Sequence, residues 1–280
     1  MKVVCLIRDE PPLRYFANRV HAAHGVDLAV VEEPAPRSSG TGRVLEYVRR
    51  EGARGLADHV RVRAGGRRGG AGRRAMLDRR FGDLWRRLDP DIPSLVVRSV
   101  NDDEVVRRLR RLGRVAVLDH GTSVVREPVL GQAEMTLNVH WGLSPYYRGV
   151  RCTEWALVMW DPANIGVTVH ALSREIDGGA IAGQARAAVT SDDTVRSLDM
   201  QLTYLGTEIV VDALGRAAAG EEIRFVEQDL SKGILTCSRQ WSSLLGRHMQ
   251  RMERDGTLAR MLRSPSRGPQ PIVSLTSTPA

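Results

Sequence analysis

The sequence predicts an α/β protein with a mostly parallel, twisted sheet that is flanked by helices. Residues 3–7 and 27–31 are apolar runs on either side of an amphipathic segment over 12–24, which is the β-α-β order of a parallel sheet. Residues 115–118 form a continuous apolar run of the kind that is buried on both faces of such a sheet. Helical and strand patterns alternate again after residue 150, so this class extends through most of the 280 residues.

The turn after the first strand is not a phosphate-binding turn. It reads Arg8-Asp9-Glu10-Pro11-Pro12, without the closely spaced glycines that a dinucleotide site requires, so that class of site is excluded there. Capping and breaking residues predict the next elements: a helix over 43–52, a helix over 74–88 stopped by the proline-rich 89–93, a strand over 95–97, and a helix capped by 101–103 that ends at 112–113.

The second half of the chain is predicted from the same signals. An amphipathic helix is indicated where five apolar residues recur at three- and four-residue spacing, namely Val195, Leu198, Leu202, Leu205 and Ile209. The predicted order is a short helix or loop over 127–130, a strand over 136–140, a helix over 153–160, a strand over 166–172, a tight loop over 176–179, the amphipathic helix begun by 191–193 and stopped near 220, a short strand from 223, and a helix over 239–261.

Three segments are expected along the chain. A main domain covers 1–220 and contains a helical, Arg/Gly-rich insert over about 34–93. A small C-terminal extension covers 221–262. Residues 263–280 are rich in Ser, Pro and Thr, which favours a disordered tail.

The net charge of +8 raises the question of nucleic-acid binding. Lys2 and Lys232 are the only lysines, so the positive charge is almost entirely arginine, and much of the excess lies in residues 61–80. This run contains glycine pairs and no aromatic residue before Phe81. We favour a solvated loop that leads into a basic helix, with an RNA-binding element as the alternative.

The cysteines and the hydropathy pattern indicate the cellular compartment. Three cysteines, Cys5, Cys152 and Cys237, form no paired short spacing, which argues against a disulfide framework or a zinc site. No run of about 18 apolar residues is present, and the apolar start of the chain is too short for a signal peptide. We expect a cytoplasmic protein without membrane partners. Cys152 is interpreted as a small buried thiol in preference to a nucleophile.

Asn138 and His140 are the first candidate catalytic residues. They lie two residues apart on a predicted strand, so their side chains point to the same side. Asp177 follows another apolar strand and precedes the glycine pair 178–179. Because ligands of α/β sheets bind beyond the carboxyl ends of the strands, we predict that one pocket holds all three side chains.

These residues also carry a family resemblance. Residues 138–149 read Asn-Val-His-Trp-Gly-Leu-Ser-Pro-Tyr-Tyr-Arg-Gly, and Gly-Val-Thr-Val-His and Ile-Asp-Gly-Gly follow at 166–170 and 176–179. The combination resembles the formyltransferases that use 10-formyltetrahydrofolate, which act on glycinamide ribonucleotide, methionyl-tRNA or sugar amines. The resemblance covers about 98–220. It implies a Rossmann-like formyltransferase fold, a catalytic domain over 1–220, and formyl transfer from 10-formyltetrahydrofolate to a primary amine through a tetrahedral intermediate, without a metal.

The resemblance implies roles for individual residues. Asn138 donates a hydrogen bond to the formyl oxygen, His140 bonds the same oxygen or moves the amine proton, and Asp177 orients His140. The expected cofactor-binding residues are Gly121, Thr122, Ser123, Val124, Val125, Leu130 and Ile176. The expected substrate-binding residues are Trp141, Tyr147 and Arg148, with a buried arginine bonded to carbonyl groups as the equal alternative for Arg148. His120 lies at a strand end, where it is a candidate for lining the cofactor crevice, with a position outside the crevice as the equal alternative. His170 is interpreted as a supporting or structural residue.

The acceptor amine is not identified by these motifs. Trp141, Ser144 and Arg174 depart from the family pattern, which leaves the acceptor open. We expect a small-molecule amine such as an amino sugar or a specialised metabolite, because the region after residue 220 is short for the separate β-barrel that the resemblance implies for the methionyl-tRNA enzymes. The alternatives are methionyl-tRNA formylation, hydrolysis of formyltetrahydrofolate, and a folate- or RNA-binding protein without turnover. The oligomeric state stays open, with a homodimer among the alternatives.

Overall fold

A computed structural model of the chain describes residues 1–34, 45, 48–49, 51–57, 59–60, 70–263 and 268–274. Its strands are β1 (Lys2–Arg8), β2 (Leu28–Glu32), β3 (Ser94–Val97), β4 (Val115–His120), β5 (Ala133–His140), β6 (Tyr147–Gly149), β7 (Gly166–His170), β8 (Ile181–Arg186) and β9 (Ile234–Thr236). Seven of these strands form the central sheet in the order β3-β2-β1-β4-β5-β7-β8.

The central sheet is mostly parallel, as predicted. Strands β3, β2, β1, β4 and β5 pair in parallel, whereas β7 and β8 join in antiparallel orientation. The apolar run of β4 is buried along its whole length, because the sheet is covered on both faces. The predicted fold class is therefore confirmed, and β8 is an edge strand that the prediction lacks.

Helices cover the two faces of the sheet. They are α1 (Pro11–His24), α2 (Gly70–Phe81), α3 (Asp103–Leu112), α4 (Glu127–Leu130), α5 (Cys152–Val158), α6 (Val195–Ala218), α7 (Ser243–Arg254) and α8 (Thr257–Arg263), with 3₁₀ turns at Pro162–Asn164 and Ser238–Gln240. Within the ranges given above, none of the helices has the length and apolar character that a bilayer crossing requires.

Alternation along the strands divides the core into two layers. On one face Phe16 of α1 and Leu202 of α6 pack with Leu118 and Val139 in one hydrophobic cluster. On the other face Leu109 of α3 packs in a second cluster with Val117 of β4 and Val4 of β1. Since successive strand residues point to opposite faces, each strand contributes to both layers.

Several predicted boundaries in the first half need correction. The helix predicted over 74–88 ends at Phe81, because Gly82 adopts φ 58° and turns the chain. Of the predicted helix over 43–52, the described residues are helical, and the remainder lies outside the described residues. Residues 61–69 of the arginine-rich run also lie outside them, while 70–80 belong to α2. Asp102 is the N-cap residue of α3 but makes no side-chain cap hydrogen bond.

The second half also differs from the prediction in three places. Helix α6 is capped by Thr194, which exchanges hydrogen bonds with Ser197, and not by residues 191–193. The helix predicted over 239–261 is two helices, which are separated at Gly256 with φ 75°. After residue 223 the chain makes a single bridge from Val226 to β8, and the strand β9 forms later.

The residues after 220 contact the rest of the protein at several places. Strand β9 pairs in parallel with β6 in a separate two-stranded sheet. Met249 and Met252 of α7 and Leu258 of α8 belong to the same hydrophobic cluster as α1 and α6. Residues 268–274 lie beside β8, where the N–H of Gln184 donates to the carbonyl of Val273 at 2.8 Å.

Close packing of α6 on the sheet depends on Gly206. A Cβ atom there would lie 2.5 Å from Val139 Cγ1 and 2.8 Å from Val167 Cγ2, whereas at Gly215 it would meet only His24 Cε1 at 3.6 Å. We expect Gly206→Ala to lower the free energy of unfolding by about 1–3 kcal/mol, as overpacked core sites do. Gly215→Ala is the control and should raise it by up to about 1 kcal/mol, since alanine favours helix. Equal unfolding midpoints for the two variants in denaturant titrations would contradict this packing.

Candidate active site

The candidate site lies at the carboxyl ends of β4 and β5, where polar side chains share one face of the sheet. Asp119 of β4 is in register with Asn138 of β5, which is opposite His170 of β7. His140 is opposite Thr168 in the same ladder. Cross-strand partners point to the same face, so this register gathers the polar groups that the sequence places far apart.

The structure brings Asn138, His140 and Asp177 together. The Nδ2 atom of Asn138 lies 3.4 Å from Oδ1 of Asp177, and Nδ1 of His140 lies 3.4 Å from Oδ2 of the same carboxylate. Asp177 reaches this position from a turn in which its own φ is 49°. All three side chains are largely removed from water, so their mutual electrostatic interactions are weakly screened.

His170, which is expected from sequence to be a supporting or structural residue, contacts Asn138. Its Nδ1 lies 2.8 Å from the carbonyl oxygen of Ala171, so Nδ1–H donates there and Nε2 is left as an acceptor. That Nε2 lies 3.0 Å from Nδ2 of Asn138, which therefore donates to it. His170 is thus the residue that fixes the orientation of the Asn138 amide, and it also lies 3.6 Å from Oδ1 of Asp177.

Asp177 is held in its ionised form. Burial raises the pKa of its carboxyl, but the nearby His140 and the backbone N–H of Gly149 help to outweigh burial, and the net pKa lies below the usual range. The Gly149 N–H donates to Oδ2 at 2.7 Å. A carboxylate that stays charged in a buried site can orient an imidazole and stabilise its protonated form.

Both ring nitrogens of His140 face acceptors. Nδ1 faces Asp177, and Nε2 lies 3.0 Å from the carbonyl oxygen of Tyr147. Burial lowers the pKa of His140, and the charge of Asp177 offsets only part of that effect, so the ring is neutral near pH 7. Cys152 lies 3.7 Å from Nε2, and burial raises the pKa of its thiol.

The three residues predicted to bind substrate contact different parts of the protein. Tyr147 is buried and its hydroxyl donates to Oδ2 of Asp161 at 2.6 Å. Arg148 is also buried, and its guanidinium donates to the carbonyl oxygens of Ile176 and Leu230, both at 3.4 Å. Trp141 packs edge-on against His120 with 5.3 Å between ring centroids. The contacts of Arg148 therefore favour a buried arginine that binds carbonyl groups over a residue that binds substrate.

The loop after β4 contains five of the predicted cofactor-binding residues. Thr122 donates to Oδ1 of Asp119 at 2.5 Å, and the N–H and hydroxyl of Ser123 donate to the two carboxylate oxygens of Glu32. Burial raises the pKa of Asp119 to about 7. Gly121 adopts φ 77° and lies against Leu13, which anchors the start of the loop.

The apolar members of that set divide into buried and exposed residues. Val125 is buried and Leu130 packs against the cluster that contains α3. Val124 is 64% exposed and Ile176, on the loop that carries Asp177, is 49% exposed. Val124 and Ile176 are thus exposed apolar side chains that are free to contact an apolar ligand.

His120 lies on the opposite face of the sheet from Asn138 and His140. Its register partner Ile7 belongs to the cluster of α1 and α6, and its ring packs edge-on against Phe16 at 5.4 Å. Burial lowers its pKa to about 3, so the ring is uncharged. The structure therefore removes His120 from the residues that border Asn138.

Sequence comparisons agree with the motifs. Residues 85–214 match the family model described as formyl transferase. Methionyl-tRNA formyltransferase of Bacteroides fragilis is 26% identical over 145 residues, which are 51% of this chain and 44% of that protein. The chain thus aligns with less than half the length of this relative. The resemblance inferred from the motifs is confirmed.

Solved structures share the fold. The N-formyltransferase of Helicobacter canadensis, crystallised with folinic acid and dTDP-3-aminofucose, superposes with a TM-score of 0.55 at 12% identity, covering 86% of this chain and 72% of that one. Glycinamide ribonucleotide transformylase 1 of Symbiobacterium toebii superposes with a TM-score of 0.51 at 20% identity, covering 82% and 95%. At these identities the likeness establishes the Rossmann-like formyltransferase fold.

Proposed function

We propose that this chain, whose residues 85–214 match the formyl transferase family, is an N-formyltransferase that moves a formyl group from 10-formyltetrahydrofolate to a primary amine of a small molecule. The observation that carries the proposal is the convergence of Asn138, His140 and Asp177 within 3.4 Å contacts on one face of the sheet. An amide donor, an imidazole and a charged carboxylate are the groups that acyl transfer to an amine requires.

The residues beside Asn138 fit a folate. We assign its binding to the backbone of Gly121, Thr122 and Ser123 and to the apolar side chains of Val124, Val125, Leu130 and Ile176. The hydrogen bonds of Thr122 and Ser123 to Asp119 and Glu32 make this loop a preformed support. When bound, 10-formyltetrahydrofolate supplies an activated formyl carbonyl.

Asn138 is assigned the stabilisation of negative charge on the formyl oxygen. One of its N–H groups is used by His170 at 3.0 Å, and the other reaches Asp177 only at 3.4 Å. The second N–H is the one we assign to the formyl oxygen, because its present hydrogen bond is long and weak. Because His170 already orients this amide, little reorganisation of the site is needed when charge develops on the formyl oxygen.

His140 and Asp177 are assigned the proton released by the attacking amine. The neutral ring of His140 accepts the proton, and the charge of Asp177 stabilises the imidazolium that results. Tyr147 supplies a carbonyl acceptor for the second ring nitrogen, so the protonated ring has a partner at both nitrogens. The imidazolium then donates this proton to the tetrahydrofolate nitrogen as the bond from that nitrogen to the formyl carbon breaks.

A small amine is favoured as acceptor, and methionyl-tRNA is the second candidate. The Helicobacter canadensis structure, which shares the fold, contains an amino sugar nucleotide, and this supports a small acceptor. The Bacteroides fragilis relative is a methionyl-tRNA formyltransferase, and this supports the second candidate. Arg73 and Arg74 on the exposed surface of α2 provide the test, since phosphate contacts would lie on such a basic surface.

An acceptor screen distinguishes these functions. The protein is mixed with 10-formyltetrahydrofolate and, in separate reactions, with amino sugars, nucleotide-linked amino sugars, other small amines or methionyl-tRNA, and free tetrahydrofolate is measured. We expect release that depends on a small amine and that is unchanged in the Arg73→Ser, Arg74→Ser double variant. Release that requires methionyl-tRNA, and that falls in this variant and with added salt, would replace the small-amine proposal.

Cys152 is expected to be dispensable. Its thiol lies near His140, but its raised pKa keeps it protonated and a protonated thiol is a poor nucleophile. We expect Cys152→Ala to retain kcat within about threefold, with the exposed Cys237→Ala as control. A loss of about 10²-fold in the folded Cys152 variant, as removal of a nucleophile produces, would show that a covalent route is used.

A further inference from the structure

A buried polar row crosses three strands beside the candidate site. His140 of β5 is in register with Thr168 of β7, and Thr168 is in register with Gln184 of β8. The three side chains therefore share one face, and each is buried. Gln184 has no part in the reaction assigned above, so its burial at this position calls for a different role.

Gln184 and Thr168 hold the segment that follows β5. The amide nitrogen of Gln184 donates to the carbonyl oxygen of Ser144 at 2.6 Å and to the Thr168 hydroxyl oxygen at 2.9 Å. Thr168 donates to the carbonyl oxygen of Gly142 at 2.7 Å and accepts from the N–H of Ser144 at 2.9 Å. Both backbone groups of Ser144 are thus tied to the sheet.

The segment that they hold supplies the partners of the reacting groups. The carbonyl of Tyr147 contacts His140 Nε2 at 3.0 Å, and the N–H of Gly149 donates to Asp177 at 2.7 Å. The segment also passes very close to His140, since a Cβ atom on Gly142 would lie 2.2 Å from Nε2. A small displacement of residues 142–149 would therefore change the orientation of both His140 and Asp177.

The C-terminal segment completes the network. The side-chain oxygen of Gln184 accepts from the N–H of Val273 at 3.0 Å, and the N–H of Gln184 donates to the carbonyl of Val273 at 2.8 Å. Asn164 fixes the same segment, because its side-chain oxygen accepts from the N–H of Gln270 at 2.7 Å. Val273 thereby determines which way the Gln184 amide faces, with its nitrogen toward Ser144.

We propose that Gln184, held by the backbone of Val273, is a positioning residue that fixes the 142–149 segment and through it the orientation of His140 and Asp177. The proposal rests on the proposed formyl transfer for its kinetic consequence. Its structural consequence is independent of the reaction, because the hydrogen bonds are made by the protein without a ligand.

Two variants test this proposal. Gln184→Glu keeps the size of the side chain but removes both N–H donors to Ser144 and Thr168. Val273→Pro leaves Gln184 intact and removes only the N–H that orients it. Ile272→Pro is the matched control, since the Ile272 N–H donates to none of the residues that the structure describes. For each protein, kcat, both KM values and amide hydrogen exchange without substrates are measured.

We expect Gln184→Glu to lower kcat about tenfold or more, with the KM for the folate within about twofold, because misplaced groups reduce the chemical step. Val273→Pro should lower kcat in the same direction by a smaller factor, and Ile272→Pro should not. Exchange should rise in 142–149 and stay unchanged in α3, which packs against residues of β1, β2 and β4, away from β8.

Unchanged exchange in 142–149, or an equal rise in α3, would overturn the positioning role, since the first shows no coupling and the second shows general destabilisation. Parent-like kcat in folded Gln184→Glu would overturn it as well. If the parent protein transfers no formyl group, the proposed function fails, and the exchange data still decide whether Gln184 positions the segment.

Discussion

Asn138→Ala is expected to lower kcat by about 10²- to 10³-fold, the range that loss of one oriented donor to a developing oxyanion produces. The variant removes the only N–H group that we assign to the formyl oxygen, and His170 keeps its other contacts. Folate affinity should be retained, because the residues assigned to the folate lie on the loop after β4 and on the loop that contains Asp177. The measurement is steady-state kinetics together with folate binding by fluorescence.

Glu134→Ala is the matched control for that variant. Glu134 lies on the same strand as Asn138, but it is exposed and pairs with Arg114 at the far end of β5. It should leave kcat unchanged. Parent-like turnover in folded Asn138→Ala would remove the oxyanion role from this residue and leave His140 as the donor to be tested.

Asp177→Asn is expected to lower turnover and to move the pH dependence toward acid. The charge of Asp177 raises the pKa of His140 against the larger lowering effect of burial, so its removal lets that pKa fall further. The neutral ring is the proton acceptor, and activity should therefore rise with pH through the His140 pKa. In the variant this rising limb lies at lower pH than in the parent.

The maximal rate of Asp177→Asn should fall although the active form of His140 extends to lower pH. Without the carboxylate, the imidazolium that forms during transfer loses its partner at Nδ1. The measurement is a pH–rate profile, with Asp229→Asn, a change in an exposed carboxylate, as control. A rising limb and a maximal rate equal to those of the parent would show that Asp177 does not act through His140. A falling limb that moves toward acid would instead identify the imidazolium as the active form.

The sequence predicts the position of Asn138 and His140 well, because strand alternation depends only on local spacing. Asp177 is predictable from its family motif and its place after an apolar strand. A supporting role for His170 is expected from sequence, but its pairing with Asn138 is not predictable, because β7 runs antiparallel to β5 and the apolar pattern of a strand does not encode its direction. Only the register that sets His170 opposite Asn138 identifies it.

Strand β8 and the C-terminal segment are also not predictable from local sequence. Residues 181–186 read Ile-Ala-Gly-Gln-Ala-Arg, with one β-branched residue, so the strand arises from pairing with β7 and not from local propensity. The composition of 263–280 favours disorder, yet residues 270 and 273 make hydrogen bonds to Asn164 and Gln184. Pairing between distant segments decides both cases, and a single sequence contains little information about it.

The boundaries of α6 have a local cause. Ser191, Asp192 and Asp193 are good capping residues, but so is Thr194, and Ser197 lies three residues after it. The reciprocal bonds between Thr194 and Ser197 select the later start, while Asp193 accepts from the Ser197 hydroxyl at 2.7 Å. Competing caps within four residues leave the start of a helix undetermined until its side-chain contacts are known.

Transfer of a formyl group to an amine is the reaction that we assign to this site. The most direct test is a single-turnover reaction with 10-formyltetrahydrofolate labelled with ¹³C in the formyl group, carried out with the parent protein and a small amine that releases tetrahydrofolate in the acceptor screen. We predict that the label appears in the formamide of that amine, and that Asn138→Ala slows its appearance. Label that appears in formate at a rate independent of the amine would contradict the claim and identify a hydrolase.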